Sequence, residues 1–229
     1  MPFEGWLKSL PDDTVRHVHT DLEVLHATPF SFLQDEQVVY QIERLSTHLG
    51  SKPPLIRQAA IRYSLYVRQL DAILEKGNYI RQICSHACQR PPVGCCNSEH
   101  HVILSLSDLL LARPTQNTLH LAHVLTALQQ LEHAHSLDQG RLPQPNYCSH
   151  LTSTGCTLRL LKSPRCIHYL CPQVSLAMIA THGDQAADFL AAMHDSGNRV
   201  IHTMNDFTSP EVIQAAESLF ALETPVGNS

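Results

Sequence analysis

Glycine is scarce in this chain, nine in 229 residues, and no two glycines lie within four positions of each other. That excludes the GxGxxG turn of a dinucleotide fold and the phosphate-cradling P-loop, which need closely spaced glycines so that backbone N–H groups can approach phosphate. A GxSxG nucleophile elbow and an HExxH helix are also missing, so no substrate-processing constellation stands out. No window approaches the roughly eighteen apolar residues of a membrane span. No run of Lys or Arg is long enough to follow a phosphate backbone, and the net charge is −5, which argues against nucleic acid as the main partner. The opening MPFEGWLKSLPDD has acidic residues and proline where a signal peptide has an apolar core. The expectation is a soluble, cytoplasmic chain whose partner is another protein, with no membrane partner.

Cysteine, by contrast, is concentrated. Four cysteines, Cys84, Cys88, Cys95 and Cys96, sit in the stretch CSHACQRPPVGCC, and the other four, Cys148, Cys156, Cys166 and Cys171, form a second block about fifty residues on. A chain of 229 residues can bury a sizeable core without disulfides. In a reducing compartment clustered thiols point to metal rather than to a disulfide framework. Two halves of one site is the economical reading. The spacing contains no CxxC knuckle; only Cys84/Cys88 and Cys166/Cys171 come near the close pairs of structural zinc modules. An iron–sulfur cluster is larger than one ion and tolerates irregular loops. Arg81, Arg90, Arg159, Lys162 and Arg165 stand near the cysteines, where they would offset the charge of a thiolate site. The cofactor expected is an iron–sulfur cluster, [4Fe-4S], with zinc as the alternative.

The rest of the chain reads as helix. Val15, Val18, Leu22 and Leu25 follow Asp12 and Asp13 at helical spacing; Val38, Val39, Ile42, Leu45 and Leu49 share one face; Pro53 and Pro54 open a longer helix through Leu74 that Gly77 closes. Residues 80–88 continue as a short helix that brings Cys84 and Cys88 to one face, and Pro91, Pro92 and Gly94 break it. HHVILSLSDLLLARP starts as a β-branched run and passes through Ser107 or Asp108 as cap into a helix that Pro114 ends. A helix from Asn117 to about Leu137 has Leu121, Val124, Leu125, Leu128 and Leu131 as its stripe. After a loop over 140–146, Cys148 and Cys156 flank a Ser/Thr/Gly turn. Ser163 and Pro164 then start a short helix carrying Cys166, which Pro172 ends. Helical patterns resume at 174–181, 185–194 and 210–222. The fold class is mainly α, one interdependent domain: N-terminal helices over 1–80, a loop-rich cysteine centre over 81–172, and C-terminal helices over 173–229.

Cys84, Cys88 and Gly94-Cys95-Cys96, then HVILSLSDLLLA, Cys148-Ser-His-Leu, Gly155-Cys156-Thr-Leu and Lys162-Ser-Pro-Arg-Cys166-Ile-His-Tyr-Leu-Cys171, resemble the YkgJ-type cysteine-cluster family of zinc- or iron-chelating proteins. The similarity covers residues 81–172 and leaves the flanking helices outside. It implies a metal or iron–sulfur module, related to the cysteine cluster of flagellin lysine N-methylases, and with it an accessory role in a protein N-methylase system.

Histidine follows cysteine by two residues three times, at His86, His150 and His168. Such residues either hydrogen-bond cluster sulfur or sit on the surface as polar loop residues. A different chemistry is offered by two ExxH pairs, Glu23/His26 and Glu132/His135, which with Glu43 and Glu75 would supply a di-iron carboxylate oxidase site in a helical bundle. That reading leaves the eight cysteines unexplained.

Overall fold

The computed structural model describes residues 12–27, 29–79, 96–98, 100–134, 146–152 and 155–221. Within them are nine α-helices and one two-residue β-pair, so the protein is mainly α. Helices α1 (Asp12–Leu25) and α2 (Asp35–His48) pack on each other and on α3 (Pro54–Lys76). Pro54 stands at the first turn of α3, where its missing N–H has no partner to lose. At 23 residues α3 is roughly 34 Å long, which lets it serve as the axis of the molecule. It touches α1, α2, α5 (Gln116–Ala134), the 3-10 turn Met204–Phe207 and the last helix, α9 (Pro210–Ala221). One continuous hydrophobic cluster therefore runs from Leu25 through α3 to Phe220.

The C-terminal part is organised around α8 (Asp184–Asn198), which packs against α6 (Pro164–His168), α7 (Pro172–His182) and α9. Between the two sets of helices lie the short α4 (Leu106–Ala112), the hairpin β1 (Leu151–Thr152) and β2 (Gly155–Cys156), and mostly irregular chain. No described helix is long and apolar enough to cross a membrane.

Several local expectations are revised. Val102–Leu104 forms no strand, and the cap of α4 is Ser105: its hydroxyl accepts the Asp108 N–H while the Asp108 carboxylate accepts the Ser105 N–H. This reciprocal pair satisfies two orphan donors at once, which neither Ser107 nor Asp108 could do as the cap. Pro172 does not end the Cys166 helix. That helix stops at His168, and Pro172 opens α7 with Cys171 as its N-cap. Leu131 is exposed rather than buried with the rest of its stripe. Gly77 ends α3 with an ordinary helical φ of −81°, the left-handed residue being Asn78 (φ 56°). Glycine is needed there for space, since a Cβ would come within 1.9 Å of the buried Tyr79 ring. The helix expected over 80–88 and the loop over 140–145 lie outside the described residues.

Candidate metal centre

Five of the eight cysteines are described: Cys96, Cys148, Cys156, Cys166 and Cys171, all partly buried. Cys84, Cys88, Cys95 and His86 lie outside the described residues. The end of the first block meets the start of the second through backbone. The Cys148 N–H donates to the Cys96 carbonyl at 3.1 Å, Asn97 bridges Tyr147, and the Ser98 N–H donates to the Asn146 carbonyl at 3.2 Å. Cys148 leads into the β1–β2 hairpin, where Leu151 is paired with Cys156. The His150 N–H donates to the Cys148 sulfur at 3.4 Å. Burial pushes the thiols of both Cys148 and Cys156 up, and each of these cysteines also feels nearby charge: Cys156 acts on Cys148, while Lys162 and Arg159 pull Cys156 back down.

Cys166 is tied to the same strip by a different atom. Its thiol donates to the His100 carbonyl at 3.1 Å, and the Ser163 hydroxyl, which caps α6 by accepting the Cys166 N–H, donates to that same carbonyl. Cys171 packs against the hydrophobic core beside α7. Among the described residues no three His, Cys, Asp or Glu side chains converge in a way that could hold a metal ion.

The histidines divide. His150 is buried, so it is no surface loop residue, and its ring meets those of His133 (centroids 4.9 Å apart) and His101 (5.6 Å) edge-on. Thr157 fixes this group: its hydroxyl donates to the His150 carbonyl at 3.2 Å and pairs with His133 Nδ1 at 2.6 Å. Burial pushes His101 down, toward the neutral ring. His168 is also buried, but in the core. Its Nδ1 bonds the Pro164 carbonyl at 2.7 Å and its Nε2 the Tyr66 hydroxyl at 2.6 Å, and burial lowers it to about 4. It acts as a satisfied core histidine. His101 and His133 escaped the sequence reading because neither stands at the cysteine-plus-two position; the doublet His100-His101 right after the first block was the available signal.

The second ExxH motif has another occupation. Glu132 reaches out of α5 and accepts the N–H groups of Arg159 (2.5 Å) and Leu160 (3.0 Å), and burial raises its carboxyl above the usual range. Glu23 is exposed on α1 and His26 in the turn after it, Glu75 is exposed on α3, and Glu43 is buried on α2. His135 lies outside the described residues. The described members thus serve separate purposes, and Glu132 is a loop anchor.

No family model, curated protein or solved structure matches the chain.

Proposed function

We propose that this protein binds metal through thiolates from both cysteine blocks, holding an iron–sulfur cluster, and acts in redox sensing, electron transfer or the maturation of a partner protein in the reducing cytoplasm. The observation that carries the reading is the backbone pairing of Cys96 with Cys148, which draws the two sequence blocks together across some fifty residues. The resemblance to the YkgJ-type cluster family is part of the same reading.

The donor set suits such a group. Cys148 and Cys156 are partly buried thiols whose ionisation burial opposes; at Cys156, Lys162 and Arg159 favour the anion and Glu132 opposes it. Bound iron or zinc would take the place of the thiol protons. The His150 N–H on the Cys148 sulfur is a polar contact of the kind that tunes a ligating thiolate. Cys166 would have to release the His100 carbonyl to ligate, and Cys84, Cys88 and Cys95 would complete the site from the first block.

Anaerobic purification followed by iron, sulfide and zinc analysis tests this. Equal iron and labile sulfide is the expected result. Stoichiometric zinc in a colourless protein would replace the cluster with a zinc-stabilised interaction module, and the absence of both metals would overturn the proposal. Cys148→Ser is expected to lower metal content and to weaken amide protection at residues 96–98 as well as in the hairpin.

A further inference from the structure

Helix α8 places Leu190, Met193, His194, Gly197 and Asn198 along one stripe, at helical spacing. That stripe forms one wall of a cavity of about 260 Å³, whose other walls come from His100, α6, the residues just after it and the first turn of α7. Gly197 lets α8 and α6 close on each other at one end, since a Cβ there would lie 3.2 Å from the His168 Cβ. The cavity is apolar where Leu170, Leu190 and Met193 line it. None of the described residues lining it is Asp or Glu, so the aspartates of α8 stand outside.

The permanent charge in the lining is Arg165. Its Nη2 donates to the Ser105 hydroxyl at 2.7 Å and to the Asp108 carboxylate at 3.3 Å. Asp108 does not line the cavity: its side chain is 6% exposed and also accepts the Ser105 N–H and hydroxyl, each at 2.7 Å. The capping pair of α4 therefore fixes Arg165, itself 39% exposed, by one terminal nitrogen, and Nη1 and Nε remain to donate. Such a guanidinium is positioned before any ligand arrives. The histidines add little charge. His168 is held neutral by burial and has both ring nitrogens engaged, while the Asn198 amide nitrogen donates to His194 Nε2 at 3.1 Å. Tyr169, whose ring lies 5.3 Å from that of His100, and Ser175 bring hydroxyls to the lining.

We propose that this cavity binds a small monocarboxylic acid with an apolar body. Arg165 receives the carboxylate, the Tyr169 and Ser175 hydroxyls stand ready to donate to it, and Leu170, Leu190 and Met193 cover the body. An apolar lining with a few placed polar groups is the usual make-up of a small-molecule site. A guanidinium suits carboxylate and phosphate alike. One cation in a largely apolar lining favours the single charge, because a phosphate dianion would keep a second charge out of water without a partner. The cavity is just below the range of about 300–1,000 Å³ that holds drug-sized ligands, so the body is about one ring in size. The inference rests on this lining and does not depend on bound metal.

The probes are benzoate, its neutral counterpart benzamide, acetate and inorganic phosphate, each titrated into the isotope-labelled full chain while amide shifts are followed by NMR. Benzoate is expected to bind saturably, with a Kd of about 1 mM or tighter, and to shift amides within residues 165–175 and 190–198. Benzamide keeps the ring and loses the charge; acetate keeps the charge and loses the ring. Each should bind at least about tenfold more weakly than benzoate. Arg165→Gln should weaken benzoate about tenfold or more and leave benzamide as it was. Because Arg165 also touches the cap of α4, a second variant leaves the guanidinium alone: Ser175→Leu fills the cavity and should abolish the benzoate shifts. Arg16→Gln, at an exposed cation of α1, should change nothing. Circular dichroism with thermal melting checks that each variant folds. Equal binding of benzoate and benzamide, or tighter binding of phosphate than of benzoate, would overturn the proposal. So would benzoate shifts that survive either cavity variant, fall elsewhere in the chain, or never saturate.

Discussion

Around Asp21 three helices converge on one buried carboxylate, whereas residues 157–163, which hold almost no regular structure, are fastened by side chains from helices distant in sequence. At Asp21 the Arg57 guanidinium donates through Nε at 2.5 Å and through its second terminal nitrogen at 3.0 Å. Ser46 adds a bond at 2.8 Å and Gln58 one at 3.1 Å. Both charges are essentially inaccessible to water, at 0% and 1%. In the second region Gln129 donates to the Leu161 carbonyl at 2.5 Å, Glu132 accepts from Arg159 and Leu160, Tyr63 donates to the Lys162 carbonyl, and Lys162 pairs with Asp71 at 2.6 Å. A helix satisfies its own backbone, so its polar side chains are free to join helices to one another. Irregular chain cannot, and polar side chains must be spent on its N–H and C=O groups. The cysteine centre is therefore positioned by α3 and α5 more than by its own local structure.

The largest effect should come from breaking the N-terminal network. Asp21→Ala leaves the Arg57 charge buried without its partner and is expected to cost about 3–5 kcal/mol in urea unfolding. If the two regions are fastened independently in the native state, metal content per folded molecule should stay unchanged. Next comes Gly77→Ala, which drives a methyl into the Tyr79 ring and should cost about 1–3 kcal/mol by thermal melting. Glu132→Ala should fall in a similar range, about 1–3 kcal/mol, because two N–H groups lose their acceptor. Its signature is local: amides of 159 and 160 should exchange faster while α1 and α2 keep their protection. Glu132→Gln, which retains an acceptor oxygen, should be milder.

A smaller effect separates the regions by pH. Glu43 is buried on α2, and burial raises its carboxyl from 4.5 to about 7. The folded state then holds the proton more tightly than the unfolded state. The stability this contributes is fully present below pH 4.5 and is lost as pH rises from there to about 7. Glu43→Gln should flatten that slope and gain on the order of 1 kcal/mol at pH 8 relative to the unaltered chain. The smallest change expected is at His26, exposed in the turn after α1, where His26→Gln should leave stability within about 0.5 kcal/mol and metal content unaltered. Metal loss in that variant would return the ExxH pairs to consideration.

Most helices were legible because their signals are local. The spacing of Val38, Ile42, Leu45 and Leu49 predicted a buried face of α2, Pro54 marked the start of α3, and Ser163-Pro164 marked that of α6. Where a polar residue left the surface, the sequence was silent. Asp21 and Arg57 are 36 positions apart and read as ordinary helix-face charges, because nothing in either segment records that the two meet. Glu132 shows the same limit. Its ExxH spacing suggested a ligand, yet its carboxylate is used by a loop that returns 27 residues later.

At the cysteines the division is similar. Sequence alone determined that eight thiols fall into two blocks and that Ser163-Pro164 opens the helix carrying Cys166, because composition and capping chemistry act over a few residues. Only the tertiary structure decided that Cys96 meets Cys148, that the Cys166 thiol turns to the His100 carbonyl, and that His150 and His168, alike in spacing, have different surroundings. Those outcomes depend on which carbonyl or ring the packing of distant helices brings within about 3 Å, and a hydrogen bond is decided at that distance, not by position along the chain.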